Sequence, residues 1–169
     1  NGGDEMIAML DLISTNLTSF FREDGHFEFL AETIMPRLAS GAAGRGKQLR
    51  IWSAGCSSGE EPYTIAIVVN QHLPDLQSWD AKILATDLST RVLARAKEGT
   101  YGARQVATVP GLLLSKHFTC VPTKPERQYR VNDSLRRLVR FARLNLMESW
   151  PMRGPFDVIF CRNVMIYFD

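Results

Sequence analysis

Gly55 and Gly59 flank Cys56-Ser57-Ser58, directly after the run Leu49-Arg50-Ile51-Trp52-Ser53-Ala54 and directly before Glu60-Glu61-Pro62. An apolar strand that ends in a glycine turn and passes into a helix lets a backbone approach a nucleotide closely. Glycine tolerates the turn, and the first helical N–H groups are free to donate. The glycines are not arranged as Gly-x-Gly-x-x-Gly, and Glu60 and Glu61 crowd the helix start where a pyrophosphate would sit, so a dinucleotide would be repelled. The pair suits a ligand that is cationic overall, although carboxylates at this place also complement the helix dipole. Asp87 closes the next apolar run, residues 82–86. An acid there can accept hydrogen bonds from ribose hydroxyls or cap the following helix. Asn145-Leu146 and Asn163 follow two further strand-like runs, where an asparagine either reads an adenine or holds a loop.

The elements that must position these groups follow from periodicity. Residues 49–54 and 82–86 read as strands. Residues 61–73 and 89–98 read as helices, with Pro62 in a first turn, Ser89 as a cap and Gly99 as a stop. This alternation predicts an α/β fold with a parallel, doubly wound sheet, whose carboxyl edge gathers Gly55, Asp87, Asn145 and Asn163. The nearly all-apolar run 156–161 reads as a strand covered on both faces, running into Arg162-Asn163. Residues 112–118 look helical, and 128–131 and 138–142 look like short strands of a small antiparallel insertion. Near the N-terminus, residues 5–21 have helical spacing interrupted by Ser14-Thr15-Asn16. Residues 27–38 suggest another helix, stopped by Pro36 or by the loop bearing Gly41, Gly44 and Gly46.

A chain of 169 residues, 45% apolar and 22% charged, is expected to form one main domain. No run reaches the roughly 18 apolar residues of a membrane helix and no signal peptide is evident, so the expected location is cytoplasmic, without membrane insertion. Cys56, Cys120 and Cys161 form no Cys-x-x-Cys pair, and His26, His72 and His117 are scattered, so no metal is expected. The net charge of +2 does not call for nucleic acid. Residues 124–143 are strongly basic, however, with Lys124, Arg127, Arg130, Arg136, Arg137, Arg140 and Arg143 against Glu126 and Asp133. That segment favours an acidic partner.

Four segments in order resemble the CheR family of chemotaxis receptor methyltransferases. They are Thr15-Asn16-Leu17-Thr18-Ser19-Phe20-Phe21-Arg22; Trp52 through Tyr63 with its Gly-Glu-Glu; Ala85-Thr86-Asp87-Leu88; and Phe156 through Phe168 with Cys161-Arg162-Asn163-Val164-Met165-Ile166-Tyr167. The resemblance implies a Rossmann-like class I methyltransferase domain over residues 15–169, preceded at 1–14 by the end of a helical region. It implies a β-subdomain at about 118–141 and a core truncated after its fourth strand. The implied ligand is S-adenosylmethionine, with S-adenosylhomocysteine as product. By the same resemblance Asn16, Thr18 and Arg22 lie over the ligand, Glu60 or Glu61 contacts it with Glu61 favoured, and Asp87 holds the ribose. Asn145 and Leu146 lie near the adenine, while Arg162, Asn163 and Tyr167 line the methyl-transfer end; Gly55 remains a ligand-binding candidate through its turn. Arg22 and Tyr167 are the candidates for holding the acceptor. The implied reaction is methylation of glutamate side chains on chemoreceptors, with residues 124–143 docking on the receptor's methylation helices. A non-catalytic sensory module, or a methyltransferase of another substrate, would keep the same ligand site.

Overall fold

The computed structural model describes residues 18–41 and 46–163. The helix and polar loop expected within 5–21 lie almost wholly outside them, as do residues 1–14. The described residues of that stretch, 18–21, are not helical: Phe21 and, just beyond it, Glu23 take positive φ values of 55° and 57°, which no helix accommodates. Helix α1 (Gly25–Phe29) continues through a π-helical turn (Leu30–Ile34) into α2 (Met35–Ala39). Pro36 therefore does not stop the helix. It lacks an N–H and crowds the carbonyl one turn back, and the wider π turn immediately before α2 accommodates that mismatch. The stop comes at Gly41, φ 75°, whose N–H donates to the Leu38 carbonyl at 3.0 Å.

The core sheet follows the expected winding. Strands β1 (Gln48–Ala54) and β2 (Asp80–Asp87) are joined by helix α3 (Glu60–His72), and helix α4 (Thr90–Glu98) follows β2. The Ser89 hydroxyl caps α4 by accepting from Val92 N–H at 3.3 Å, and Gly99 closes it in the left-handed conformation. Helix α3 is buried on almost every side from Pro62 to Val69, because the sheet lies on one flank and the α1–α2 segment on the other. Its Ile65, Ile67 and Val69 form the centre of the main core with Leu49, Ile51, Ile83, Leu30 and Met35.

The chain then forms β3 (Thr100–Gly102), α5 (Gly111–His117), β4 (Phe118–Val121), β5 (Gln128–Val131), α6 (Asp133–Arg136), β6 (Val139–Arg143) and β7 (Val158–Cys161). The antiparallel insertion has the order β3-β5-β4, with Thr100 opposite Arg130 and Phe118 opposite Val131. Two features of the expected insertion change. It recruits residues 100–102, and the run expected at 138–142 leaves it. That run is β6, which pairs in parallel with β2, Ile83 opposite Val139 and Asp87 opposite Arg143. Burial of Val139 and the packing of Phe141 on Tyr63, with ring centroids 5.7 Å apart, hold it in the core. The parallel sheet reads β6-β2-β1-β7. In β7 Phe160 is buried while Ile159 is 53% exposed, so among the described residues only one face of that strand is fully covered.

Candidate functional site

Parallel winding brings the ends of four strands to one edge, and the loops there are tied together by backbone bonds. The N–H groups of Gly55 and Cys56 both donate to the Thr86 carbonyl at 2.8 Å, which seats the glycine turn on the end of β2. Asp87 completes the tie: its Oδ2 accepts from Ser57 N–H at 2.8 Å and its Oδ1 from Ser89 N–H at 3.0 Å. Gly55 needs its residue type for the turn, at φ 73°. Gly59, at φ 98°, needs it for packing as well, since a Cβ there would lie 2.8 Å from the Tyr101 hydroxyl and 2.9 Å from the Ala96 Cβ.

Glu60 and Glu61 point in different directions from the first turn of α3. Glu60 is 2% exposed and accepts from the Ser58 hydroxyl at 2.7 Å and the Gln105 side-chain amide at 3.2 Å, towards the antiparallel insertion. Glu61 faces the carboxyl edge. Its Oε1 accepts from the Ser53 hydroxyl at 2.7 Å, and its Oε2 lies 3.3 Å from Arg162 Nη1. Burial pushes both carboxyls above the ordinary value, and for Glu61 the Ser53 hydroxyl and the Arg162 guanidinium pull in the opposite sense.

Arg162, immediately after β7, joins this edge to the segment before α1. Its Nη2 is 3.1 Å from Glu23 Oε2 and donates to the Arg22 carbonyl, while its guanidinium carbon sits 5.3 Å from the centre of the Phe27 ring. Glu23 Oε1 lies 3.8 Å from Arg22 Nε. Hydrogen bonding from Arg162 holds the Glu23 carboxyl below its ordinary value, with Arg22 and Asn163 acting in the same direction. The segment is fixed from beneath by Phe20, fully buried with its ring 4.9 Å from Tyr101 and 5.4 Å from Phe118. Thr64 accepts from Phe21 N–H, and the Thr108 hydroxyl donates to the Phe20 carbonyl.

The edge thus brings together Gly55, Glu61, Asp87, Arg22, Arg162 and Asn163. Thr18 lies half-buried at the start of the same segment. Asn145 follows β6, but its side chain is engaged in a turn, accepting from Met147 N–H at 3.0 Å and donating to Glu148 at 2.8 Å. Leu146 packs beside Trp52, Ala54 and Leu144. Glu60 is turned away from the edge. Asn16 and Tyr167 lie outside the described residues. Sequence reasoning missed Glu23, Ser53 and Ser57. Only the position of Glu23 next to Arg22 could have drawn notice.

The fit to a cationic nucleoside ligand can be tested on the edge itself. Arg162 Nε and the Ser57 hydroxyl are buried there without a hydrogen-bond partner among the described residues, leaving polar groups for a polar ligand to satisfy. Glu61 and Asp87 supply acceptors for donors and positive charge. These features suit S-adenosylmethionine. Among the described residues no cluster of His, Cys, Asp and Glu could hold a metal ion, and no helix is long and apolar enough to cross a membrane.

Comparison with known proteins gives the same direction. Residues 16–169 match the family described as CheR methyltransferase, SAM binding domain. A probable chemotaxis protein methyltransferase of Rhizobium etli is 45% identical over 161 residues, covering 95% of this chain and 60% of the relative. The chemotaxis protein methyltransferase of Borreliella burgdorferi is 44% identical over 171 residues, covering 99% of the chain and 59% of the relative. That of Escherichia coli is 40% identical over 167 residues, covering 98% and 55%. The chain spans somewhat over half the length of these relatives. Its sheet, its carboxyl edge and the extent of this match lead to one conclusion: the chain belongs to the CheR methyltransferase family, as its S-adenosylmethionine-binding domain.

Proposed function

We propose that the chain binds S-adenosylmethionine at the carboxyl edge and takes part in methylating glutamate side chains of chemoreceptors, releasing S-adenosylhomocysteine. The observation that carries this reading is the convergence of Glu61, Arg162 and Arg22 on the edge where Asp87 clamps the glycine turn. Gly55 would let the ligand approach the backbone, and Asp87 would receive the ribose hydroxyls. Glu61 would face the positive end, and Asn16, Thr18, Arg162 and Asn163 would complete the enclosure. Asn145 and Leu146 would flank the adenine through the turn they build.

The methyl donor supplies an electrophilic methyl on a sulfonium; an acceptor carboxylate oxygen bonds to that carbon as the carbon–sulfur bond breaks, leaving a neutral ester and a neutral thioether. A glutamate with an ordinary pKa of about 4.3 is already ionised near neutrality, so no strong base is needed. Because opposite charges disappear in this step, exclusion of water favours it, and positioning supplies most of the acceleration. Arg22 and Tyr167 are the groups proposed to orient the acceptor.

Lys124, Arg127, Arg130 and Arg137 are exposed on and after the β4–β5 hairpin. Arg136 and Arg143 are partly used within the fold, donating to the carbonyls of Lys97 and Leu88. The exposed cations would attract acidic methylation helices. The reading implies work in the cytoplasm, where those helices lie. The experiment is calorimetric titration with S-adenosylhomocysteine and, as control, NAD, followed by methyl transfer to a receptor fragment. Micromolar binding of the first alone, with transfer, supports the proposal. No binding, or binding without transfer, counts against the enzyme reading, and the second outcome favours a sensory module.

A further inference from the structure

We infer that Glu23 is a positioning residue of the ligand site, acting through Arg162; the inference rests on the ligand reading proposed above. Its carboxylate stands among three side chains of that site. Arg162 Nη2 is 3.1 Å from Oε2 and Arg22 Nε is 3.8 Å from Oε1, while Asn163 helps to hold the carboxyl below its ordinary value. His26 Nδ1 also lies 3.6 Å from Oε2, on the outer side. An exposed ion pair usually contributes little. Here one member is not exposed: the Arg162 side chain is 11% accessible, whereas that of Glu23 is 45% accessible.

The guanidinium could adopt many orientations against a single carboxylate. It is held to one by Glu61 on Nη1, by Glu23 and the Arg22 carbonyl on Nη2, and by the Phe27 ring across its face. Of these, Glu23 is the only second carboxylate. It balances the pull of Glu61, so that Nε stays buried at the edge without a partner among the described residues. The backbone carries the same signature. Phe21 and Glu23, on either side of Arg22, both take positive φ, a conformation that L side chains adopt rarely and at a cost. The strain turns the Arg22 carbonyl and the Glu23 carboxylate onto the same guanidinium nitrogen.

The test is a double-mutant cycle on the full chain, read as S-adenosylhomocysteine affinity by calorimetry with melting temperature as a folding control. Glu23→Gln keeps the shape and removes the charge; it should weaken binding about tenfold, the loss expected for one charge-assisted contact, with little change in melting temperature. Glu23→Asp, which restores the charge on a shorter stem, should recover part of the loss. In an Arg162→Met background, which removes the guanidinium and its charge, the same Glu23→Gln change should cost about twofold or less. Equal affinities of wild type and Glu23→Gln would overturn the inference, as would an equal loss in both backgrounds. If the wild type itself fails to bind, the ligand reading falls first and takes this inference with it.

Discussion

Glu60 and Glu61 are neighbours in the chain and point in different directions from the first turn of helix α3. Glu60 bonds to Ser58 and Gln105 beside the antiparallel insertion, whereas Glu61 bonds to Ser53 and Arg162 at the carboxyl edge. A helix separates successive side chains by about 100°, and here that turn sends the two carboxylates to different partners. Glu61→Gln is therefore expected to weaken S-adenosylhomocysteine binding by about tenfold or more, and Glu60→Gln by about threefold at most. Calorimetric titration of the two variants side by side checks the division.

Glu60 also makes stability depend on pH. Burial raises its folded pKa above the ordinary 4.5, so the folded chain holds a proton that the unfolded chain releases. The stabilisation is fully present below the unfolded value and is lost as pH rises through the raised folded value. Relative to Glu60→Gln, the wild type should become less stable as pH rises from 4.5 towards neutrality. Melting curves of both proteins across that window give the comparison; parallel curves would show that Glu60 titrates normally.

Asp87 ties the glycine turn to the start of α4 through two backbone N–H groups. Asp87→Ala leaves both donors without this acceptor and should destabilise the fold by about 2–4 kcal/mol, at roughly 1–3 kcal/mol for each lost charged bond with partial rescue by water. Asp87→Asn, with one carbonyl oxygen, should fall between. Urea unfolding of the three proteins measures the order.

Gly59→Ala sets a methyl group against the Tyr101 hydroxyl and Ala96 while forcing a residue with a side chain to hold φ 98°. Overpacking and backbone strain together should cost about 2–4 kcal/mol. Adding Tyr101→Phe removes the nearest atom but not Ala96, so it should restore only part of the loss. A melting temperature equal to wild type in the single variant would contradict the packing described.

Arg127→Glu with Arg130→Glu reverses charge on and beside β5, away from the carboxyl edge. Affinity for S-adenosylhomocysteine should be unchanged, while KM for a receptor fragment should rise about three- to tenfold at low salt, and the gap should narrow as salt is added. An unchanged KM at low salt would remove the basic segment from receptor docking.

The readable part of this fold was the part fixed by short-range chemistry. Ser89 as a cap, Gly99 as a stop and the apolar runs of β1 and β2 define a parallel winding, and that winding alone gathers Gly55, Asp87 and Asn163 at one edge. The membership of β6 was less legible. Its burial alternates as in a half-covered strand of either sheet, and only its pairing with Ile83 through Asp87 decides the matter. Strand β3 has three residues, too few to show a period. Beyond its place next to Arg22, nothing in the pattern pointed to Glu23, because its contacts depend on two positive φ values that no local motif announces. The course of the helix through Pro36 depends on a π turn, whose energy is set by packing around Leu30 and Met35.

Each carboxylate oxygen carries two lone-pair directions, and the two Asp87 oxygens already accept one backbone donor apiece. The side chain is therefore held by two backbone donors before any ligand arrives. Its rotamer freedom is given up during folding rather than at association. On the function proposed above, a ribose diol would meet a carboxylate already oriented by Ser57 and Ser89, so its affinity would depend on how firmly those two residues hold their places.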